Sequence, residues 1–265
     1  MRSLIAAIVV ATAFATADTP VRSSPAVMQI AQGDSSAVRD RAIALYSAGN
    51  SRLHQDDIFG ARRNFEAAIA MEFRYFATLG SELREGEASF LVQCLTLAGV
   101  TEYKSSSHSV ASEHWRIALD LYGTYLPILN RRFLAGDALL RSGHCTSAFA
   151  SYSGTLGKLE PDILPTLRAA ARGSWIEAQR HVADARDTTP GDLVRGMLAL
   201  CPPQSRVKAE EAFVAALTDY EPTSSQTPNT GPLQASSIRL VLFAMKSSQA
   251  HVHVGFSDGW TSKIP

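Results

Sequence analysis

Apolar and small residues recur along most of this chain with the period of one face of an α-helix. Ala42, Leu45, Ala48 and Gly49 form one such stripe, and similar stripes continue to about residue 219. Polar turn residues separate successive stripes, as at 55–57 and 141–144. The pattern predicts paired helices over residues 36–221, with the first helix beginning near Ala37.

One arrangement of residues occurs three times in this helical region. A glycine is followed twelve residues later by an alanine, four further on by an aromatic residue and three after that by a small residue. The copies are Gly49-Ala61-Phe65-Ala68, Gly99-Ala111-Trp115-Ala118 and Gly136-Ala148-Tyr152-Thr155. The glycine lets the second helix approach the first closely, and the aromatic ring fills the space between neighbouring pairs. We therefore expect stacked helix pairs.

These residues resemble the tetratricopeptide repeat, and the third copy is closest, with Leu139, Gly143 and Pro161 also in place. Weaker copies follow around Ala178 and Ala209, and an insertion at 73–84 lengthens the first interval. The resemblance covers residues 36–222 and implies an all-α fold, an antiparallel helix-pair solenoid of about five units. The alternative is a non-repetitive helical bundle.

The resemblance also implies a function, because the first helices of such arrays line a concave face that holds peptides. Mixed aromatic and polar side chains suit a peptide groove, although each also fits an ordinary exposed helix position. The expected function is thus a non-catalytic scaffold for a protein or peptide partner, in cell-envelope assembly for example. The residues expected on this face are Tyr46, Asn50, Gln93, Tyr103, Lys104, Asn130, Phe133, Asp137 and Arg141.

The N-terminus has the features of a secretory signal peptide. Arg2 precedes an apolar run over 4–15, and Ala15-Thr16-Ala17 is a small-residue cleavage site. This pattern predicts cleavage after Ala17, a flexible lead-in over 18–35 and a secreted or periplasmic protein. No later apolar stretch is long enough to span a bilayer.

Composition narrows the classes of partner and site. Twenty-five basic residues balance twenty-five acidic ones, so no overall charge favours nucleic acid. The three cysteines allow at most one disulfide within the chain. Cys94 lies in an apolar stretch, so we expect it to be a small buried hydrophobic residue. Cys145 follows a glycine turn and is open to exposure. No motif for hydrolysis, nucleotide binding or a cofactor is present, and we expect no cofactor.

The C-terminal region differs in composition from the helical part. Residues 222–236 are rich in Pro, Ser, Thr and Gly and predict a linker. Residues 238–244 and 251–256 are β-prone, which predicts a hairpin-like tail over 237–265.

A pair of histidines in this tail suggests an alternative function. His251 and His253, two apart on a strand, would share a face and could bind zinc. The run HVHVGF is similar to a segment near the metal site of exported cell-wall endopeptidases, which implies a zinc-dependent hydrolase. A third ligand and a general base are not evident in the sequence, so we expect no metal site here.

Overall fold

A computed structural model describes the backbone of residues 25–79, 85–126, 133–185, 188–201, 205–218 and 230–257, and most side chains within 36–246 of those ranges. The predicted signal peptide and Asn130 lie outside the described residues. The described elements are all helical, which confirms the all-α prediction. They are α1 (Pro25–His54), α2 (Ile58–Leu79), α3 (Glu85–Lys104), α4 (His108–Tyr125), α5 (Leu134–Arg141), α6 (Cys145–Leu159), a 3₁₀ turn (Pro161–Ile163), α7 (Leu164–Ala171), α8 (Trp175–Ala183), α9 (Thr189–Leu200), α10 (Arg206–Thr218) and α11 (Thr230–Ser257).

Consecutive helices pack in pairs, and five such pairs lie within the described residues: α1 with α2, α3 with α4, α5 with α6, α7 with α8 and α9 with α10. Helix α1 begins at Pro25, earlier than the predicted start at Ala37, so residues 25–35 are helical and not a lead-in. Helix α2 continues to Leu79 and takes up much of the predicted insertion at 73–84.

The turns within four of these pairs have the same backbone conformation. One residue in each turn has φ between 60 and 82° and lies five positions before the buried alanine of the second helix. The next amide donates to a carbonyl five residues earlier, as from His144 to Leu139 at 2.9 Å, which closes the first helix in a Schellman turn. The left-handed residues are Asp56, Ser106, Gly143 and Gly173.

The repeated glycines lie directly against the repeated aromatic rings of the same pair, whereas the ring was predicted to fill the space between neighbouring pairs. A methyl group on Gly99 would lie 2.4 Å from Trp115 Nε1, and one on Gly136 would lie 2.7 Å from Tyr152 Cζ. Gly49 has the same relation to Phe65, at 2.8 Å. These contacts leave no room for a side chain between the helices of a pair.

A fourth glycine–aromatic contact was not recognised in the sequence. A methyl group on Gly196 would lie 2.4 Å from Phe213 Cε1. Gly196 precedes Ala209 by thirteen residues and not twelve, so the chain between the glycine and the alanine is one residue longer in this pair. The hydrogen bond at the end of α9 runs from the Ser205 amide to the Ala199 carbonyl, six residues earlier, at 2.8 Å.

Helix α11 overturns the prediction for the C-terminal region. Residues 230–236, predicted as linker, and both predicted strands, 238–244 and 251–256, belong to this one helix. The β-propensity of residues such as Ile238 and Val241 reflects a preference for burial, and here burial is supplied by surrounding helices. The hairpin prediction is therefore wrong.

A disulfide between Cys145 and Cys201 joins the start of α6 to the end of α9. The two Cα atoms are 6.0 Å apart, and the bridge spans 56 residues of sequence. Cys94 is a free, fully buried residue of α3, in agreement with the prediction. The structure therefore contains one disulfide and one free thiol.

Candidate functional site

The array of helix pairs curls until its fifth pair meets its second. Helix α10 contacts α3, and the Tyr103 hydroxyl of α3 donates to Glu210 Oε2 of α10 at 3.3 Å. Burial, with the nearby Glu210 carboxylate, raises the pKa of Tyr103 to about 12, so this hydroxyl stays protonated. The curl encloses a space that is bounded by helices from several pairs.

Helix α11 occupies this space and packs against α4, α5, α9 and α10. We call the surface of these four helices that contacts α11 the inner face. Residues 233–238 are all buried, and six consecutive residues cover more than a full helical turn. The N-terminal part of α11 is therefore surrounded on every side.

Asp137, a predicted groove residue, is the centre of the polar contacts with α11. Its carboxylate is 1% exposed and lies in the first turn of α5, where the helix dipole favours a negative charge. The Arg239 guanidinium of α11 donates to Oδ2, and Ser236 Oγ donates to Oδ1 at 2.6 Å. The Tyr152 hydroxyl also donates to Oδ1. Asp137 thus binds α11 through a buried charge-assisted pair.

Tyr152 connects the repeat packing to this site. Its ring covers Gly136, while its hydroxyl reaches the carboxylate of the next residue, Asp137. Burial raises the pKa of Tyr152 well above its ordinary value, and the charge of Asp137 adds to this shift. Tyr152 therefore remains a hydrogen-bond donor and orients the carboxylate toward α11.

Two further contacts fix α11 along its length. The Tyr122 hydroxyl of α4 donates to Gln234 Oε1 at 2.5 Å. About three turns later along α11, Ser112 Oγ lies 3.9 Å from Met245 Sδ. The polar contacts thus run from Gln234 to Met245 and set the register of the helix.

The other predicted partner-binding residues fall into three groups. Tyr46, Gln93 and Phe133 are buried, with the Tyr46 ring 5.5 Å from that of Phe90 and the Phe133 ring 5.9 Å from that of Tyr152. Asn50 and Tyr103 are half-buried. Lys104 and Arg141 are exposed. Only the half-buried and the exposed residues of this set can contact an external partner while α11 stays in place.

The histidine pair loses the geometry on which the zinc hypothesis depended. His251 and His253 lie in a helical segment, where residues two apart do not face each other. Their side chains are outside the described part of the structure. Among the described residues, no group of three or more His, Cys, Asp or Glu side chains is arranged to hold a metal ion.

Arg239, Ser236 and Gln234 are the site residues that sequence reasoning missed. They were assigned to a linker and a strand, although Ser236 and Arg239 are three apart and share a helical face. Polar residues at helical spacing within an apolar segment were the available signal. Their partners, Asp137 and Tyr122, lie about a hundred residues away in sequence.

A second buried acid lies apart from the inner face, between the first and second helix pairs. Glu72 of α2 is fully buried, and neither of its carboxylate oxygens has a hydrogen-bond partner. Burial raises the pKa of Glu72 to about 7; Arg39 opposes this rise and Glu87 adds to it. Arg39 is instead paired with Glu87, with Nη1 3.4 Å from Oε1. Glu72 is thus an acid held in an environment that favours its neutral form.

The described residues define an enclosed surface that binds a helix through one carboxylate and surrounding apolar contacts. No helix in the described ranges is both long and apolar enough to cross a membrane. No protein-family model, curated protein or solved structure matches this chain.

Proposed function

We propose that this protein is an exported scaffold, a tetratricopeptide-like solenoid of helix pairs that binds a peptide or protein partner in the cell envelope. Two recurring features support the repeat interpretation. Glycine–aromatic contacts occur in four of the five described pairs, and left-handed turn residues occur in four. Each feature recurs at or near one spacing, as expected when a single structural unit is stacked.

The observation that carries the binding function is the buried pairing of Asp137 with Arg239. The inner face already binds a helix, and it does so through an internal carboxylate of the kind that recognises a guanidinium specifically. Exposed residues on first helices offer further contacts. Lys104 and Arg141 lie seven residues before Ala111 and Ala148, and so occupy equivalent positions in adjacent pairs.

The disulfide supports the proposal of export. Cysteines that can pair remain reduced in most cytosols, whereas a bridge between Cys145 and Cys201 persists in an oxidising compartment. Intact-mass measurement of the protein from its own cells tests this proposal. We expect a mature chain that begins at Asp18 and contains one disulfide; an uncleaved, fully reduced chain would contradict it.

Capture of a partner by charge-matched variants tests the binding function. Lys104→Ala/Arg141→Ala removes two exposed basic side chains from first helices. The control, Lys158→Ala/Arg180→Ala, removes two from the exposed sides of second helices. We expect the first variant alone to lose most of the captured partner from envelope extracts while retaining the wild-type unfolding midpoint. Equal capture by the two variants would reject the first-helix surface as the binding site.

A further inference from the structure

We propose that α11 is an intramolecular ligand of the inner face, and that a partner helix presenting an arginine to Asp137 takes its place. This inference rests on the proposed function, because it names the class of segment that the scaffold binds. It also assigns α11 an inhibitory role, since the inner face is closed to other helices while α11 occupies it.

The composition of the α11 contact is that of a recognition surface. Four of the helix pairs are joined by a glycine against an aromatic ring, whereas α11 buries the polar Gln234, Ser236, Ser237 and Arg239 among apolar residues such as Leu233, Ile238 and Val241. Gln234 Nε2 and Ser237 Oγ are buried without hydrogen-bond partners. Such groups and a buried ion pair add specificity and register more than stability. The apolar residues of α11 therefore hold it against the array, and its polar contacts add selectivity for a matching helix.

Two contacts that hold the array closed do not involve α11. The disulfide joins α6 to α9, and Tyr103 joins α3 to α10 through Glu210. The four glycine–aromatic contacts lie within their own pairs. These contacts remain in place when α11 leaves the inner face.

The chain between α10 and α11 determines how strongly the two ligands compete. Helix α10 ends at Thr218 and α11 begins at Thr230, so 219–229 connect them. A ligand joined by so short a segment acts at an effective concentration on the order of millimolar. A partner must therefore match the chemistry of α11 closely to displace it.

The contacts of Asp137 specify that chemistry. Oδ2 receives the guanidinium, while Oδ1 is shared by Tyr152 and by a hydroxyl three residues before the arginine. The residues flanking Ser236 are the small Ala235 and Ser237, which allow close approach of the helix. The expected partner is a helix with a small residue or Ser three positions before an Arg. Lysine lacks the planar fork of donors and is a poor substitute.

Two full-length variants that break the same ion pair provide the test. Arg239→Gln frees α11 but leaves Asp137 able to receive an arginine from elsewhere, whereas Asp137→Asn removes the receiving carboxylate. The probe is a fluorescein-labelled synthetic peptide of residues 230–246, followed by anisotropy. We expect the Arg239→Gln protein to bind the peptide roughly thirtyfold or more tightly than the Asp137→Asn protein, the loss expected when one charge of a buried pair is left alone.

Two controls make the result specific. A peptide that itself carries Arg239→Gln should lose the same factor of affinity for the Arg239→Gln protein. Wild-type protein should bind the wild-type peptide weakly, because α11 already occupies the site. Equal binding of the peptide by the two variants would overturn the proposal and identify α11 as a permanent core helix.

Hydrogen exchange on the wild-type protein tests the same proposal if either variant folds poorly. Amides of 233–245 should exchange through a local opening in which α3 and α9 stay protected. We therefore expect them to exchange about tenfold or more faster than the amides of α3 and α9. Equal protection of α11, α3 and α9 would overturn the proposal. If these tests fail and partner capture still depends on Lys104 and Arg141, only the role of α11 would be rejected. If these tests succeed and partner capture does not depend on Lys104 and Arg141, only the first-helix surface would be rejected.

Discussion

Replacing Gly99 with alanine tests the packing on which the repeat depends. Alanine in a helix interior is favoured over glycine by about 0.5–1 kcal/mol. The added methyl group, however, would lie 2.4 Å from Trp115 Nε1 and 2.7 Å from its Cδ1. Trp115 is fully buried, and its Nε1 donates to the Thr96 carbonyl at 3.1 Å. Overpacking costs about 1–3 kcal/mol and a displaced hydrogen bond about 1 kcal/mol more.

We therefore expect Gly99→Ala to lower the free energy of unfolding by about 1–3 kcal/mol, after the gain in helix propensity. Gly123 of α4 is the matched control, because a methyl group there would meet nothing within 4 Å. Gly123→Ala should raise stability by up to about 1 kcal/mol.

Denaturant unfolding measured by far-UV circular dichroism gives both values by linear extrapolation, provided that the slopes agree. The two variants should differ by about 2–4 kcal/mol. If Gly99→Ala were as stable as Gly123→Ala, the indole would not lie against Gly99, and the proposed packing role of the glycine–aromatic pair would be refuted.

Two further predictions concern ionisation and the disulfide. The pKa of Glu72 is about 7 when folded against 4.5 for the free group, so the folded chain holds this proton more tightly and stability falls as pH rises between these values. Glu72→Gln should remove that fall and stabilise the protein by about 3 kcal/mol above pH 7, and parallel pH profiles would contradict this. Cys145→Ser/Cys201→Ser should lower stability by about 4 kcal/mol, the loop-closure term for 56 residues, with Cys94→Ala as a cysteine control. An unfolding midpoint insensitive to reductant would count against the bridge.

The parts of the fold that sequence predicted are those encoded by nearby residues. Gly136, Ala148 and Tyr152 lie within sixteen positions, and their spacing predicted a pair of helices, although the ring of Tyr152 was expected between pairs and not against Gly136. The same search missed Gly196, because one extra residue shifts its spacing. Local rules are reliable here only while that spacing stays constant.

The C-terminal helix could not be predicted in this way. Ile238 and Val241 suit a strand when taken alone, and they are helical because the surrounding array buries them on every side. Asp137 was predicted to lie on a partner-binding face, and the structure pairs it with Arg239, which is 102 residues away. A pairing at that distance depends on how the array curls, which no short pattern contains.

The disulfide has a consequence for the helix pair that it encloses. Residues 145–201 include α7 and α8, where Thr166 and Val182 take the positions that glycine and an aromatic ring occupy in the neighbouring pairs. This pair lacks the glycine–aromatic contact of the other described pairs. The covalent ring formed by the disulfide lowers the conformational entropy that this section gains on unfolding. A protease that cut within the ring would leave two fragments that separate only on reduction. The bridge thus makes the described pair that lacks a glycine–aromatic contact tolerant of a broken backbone.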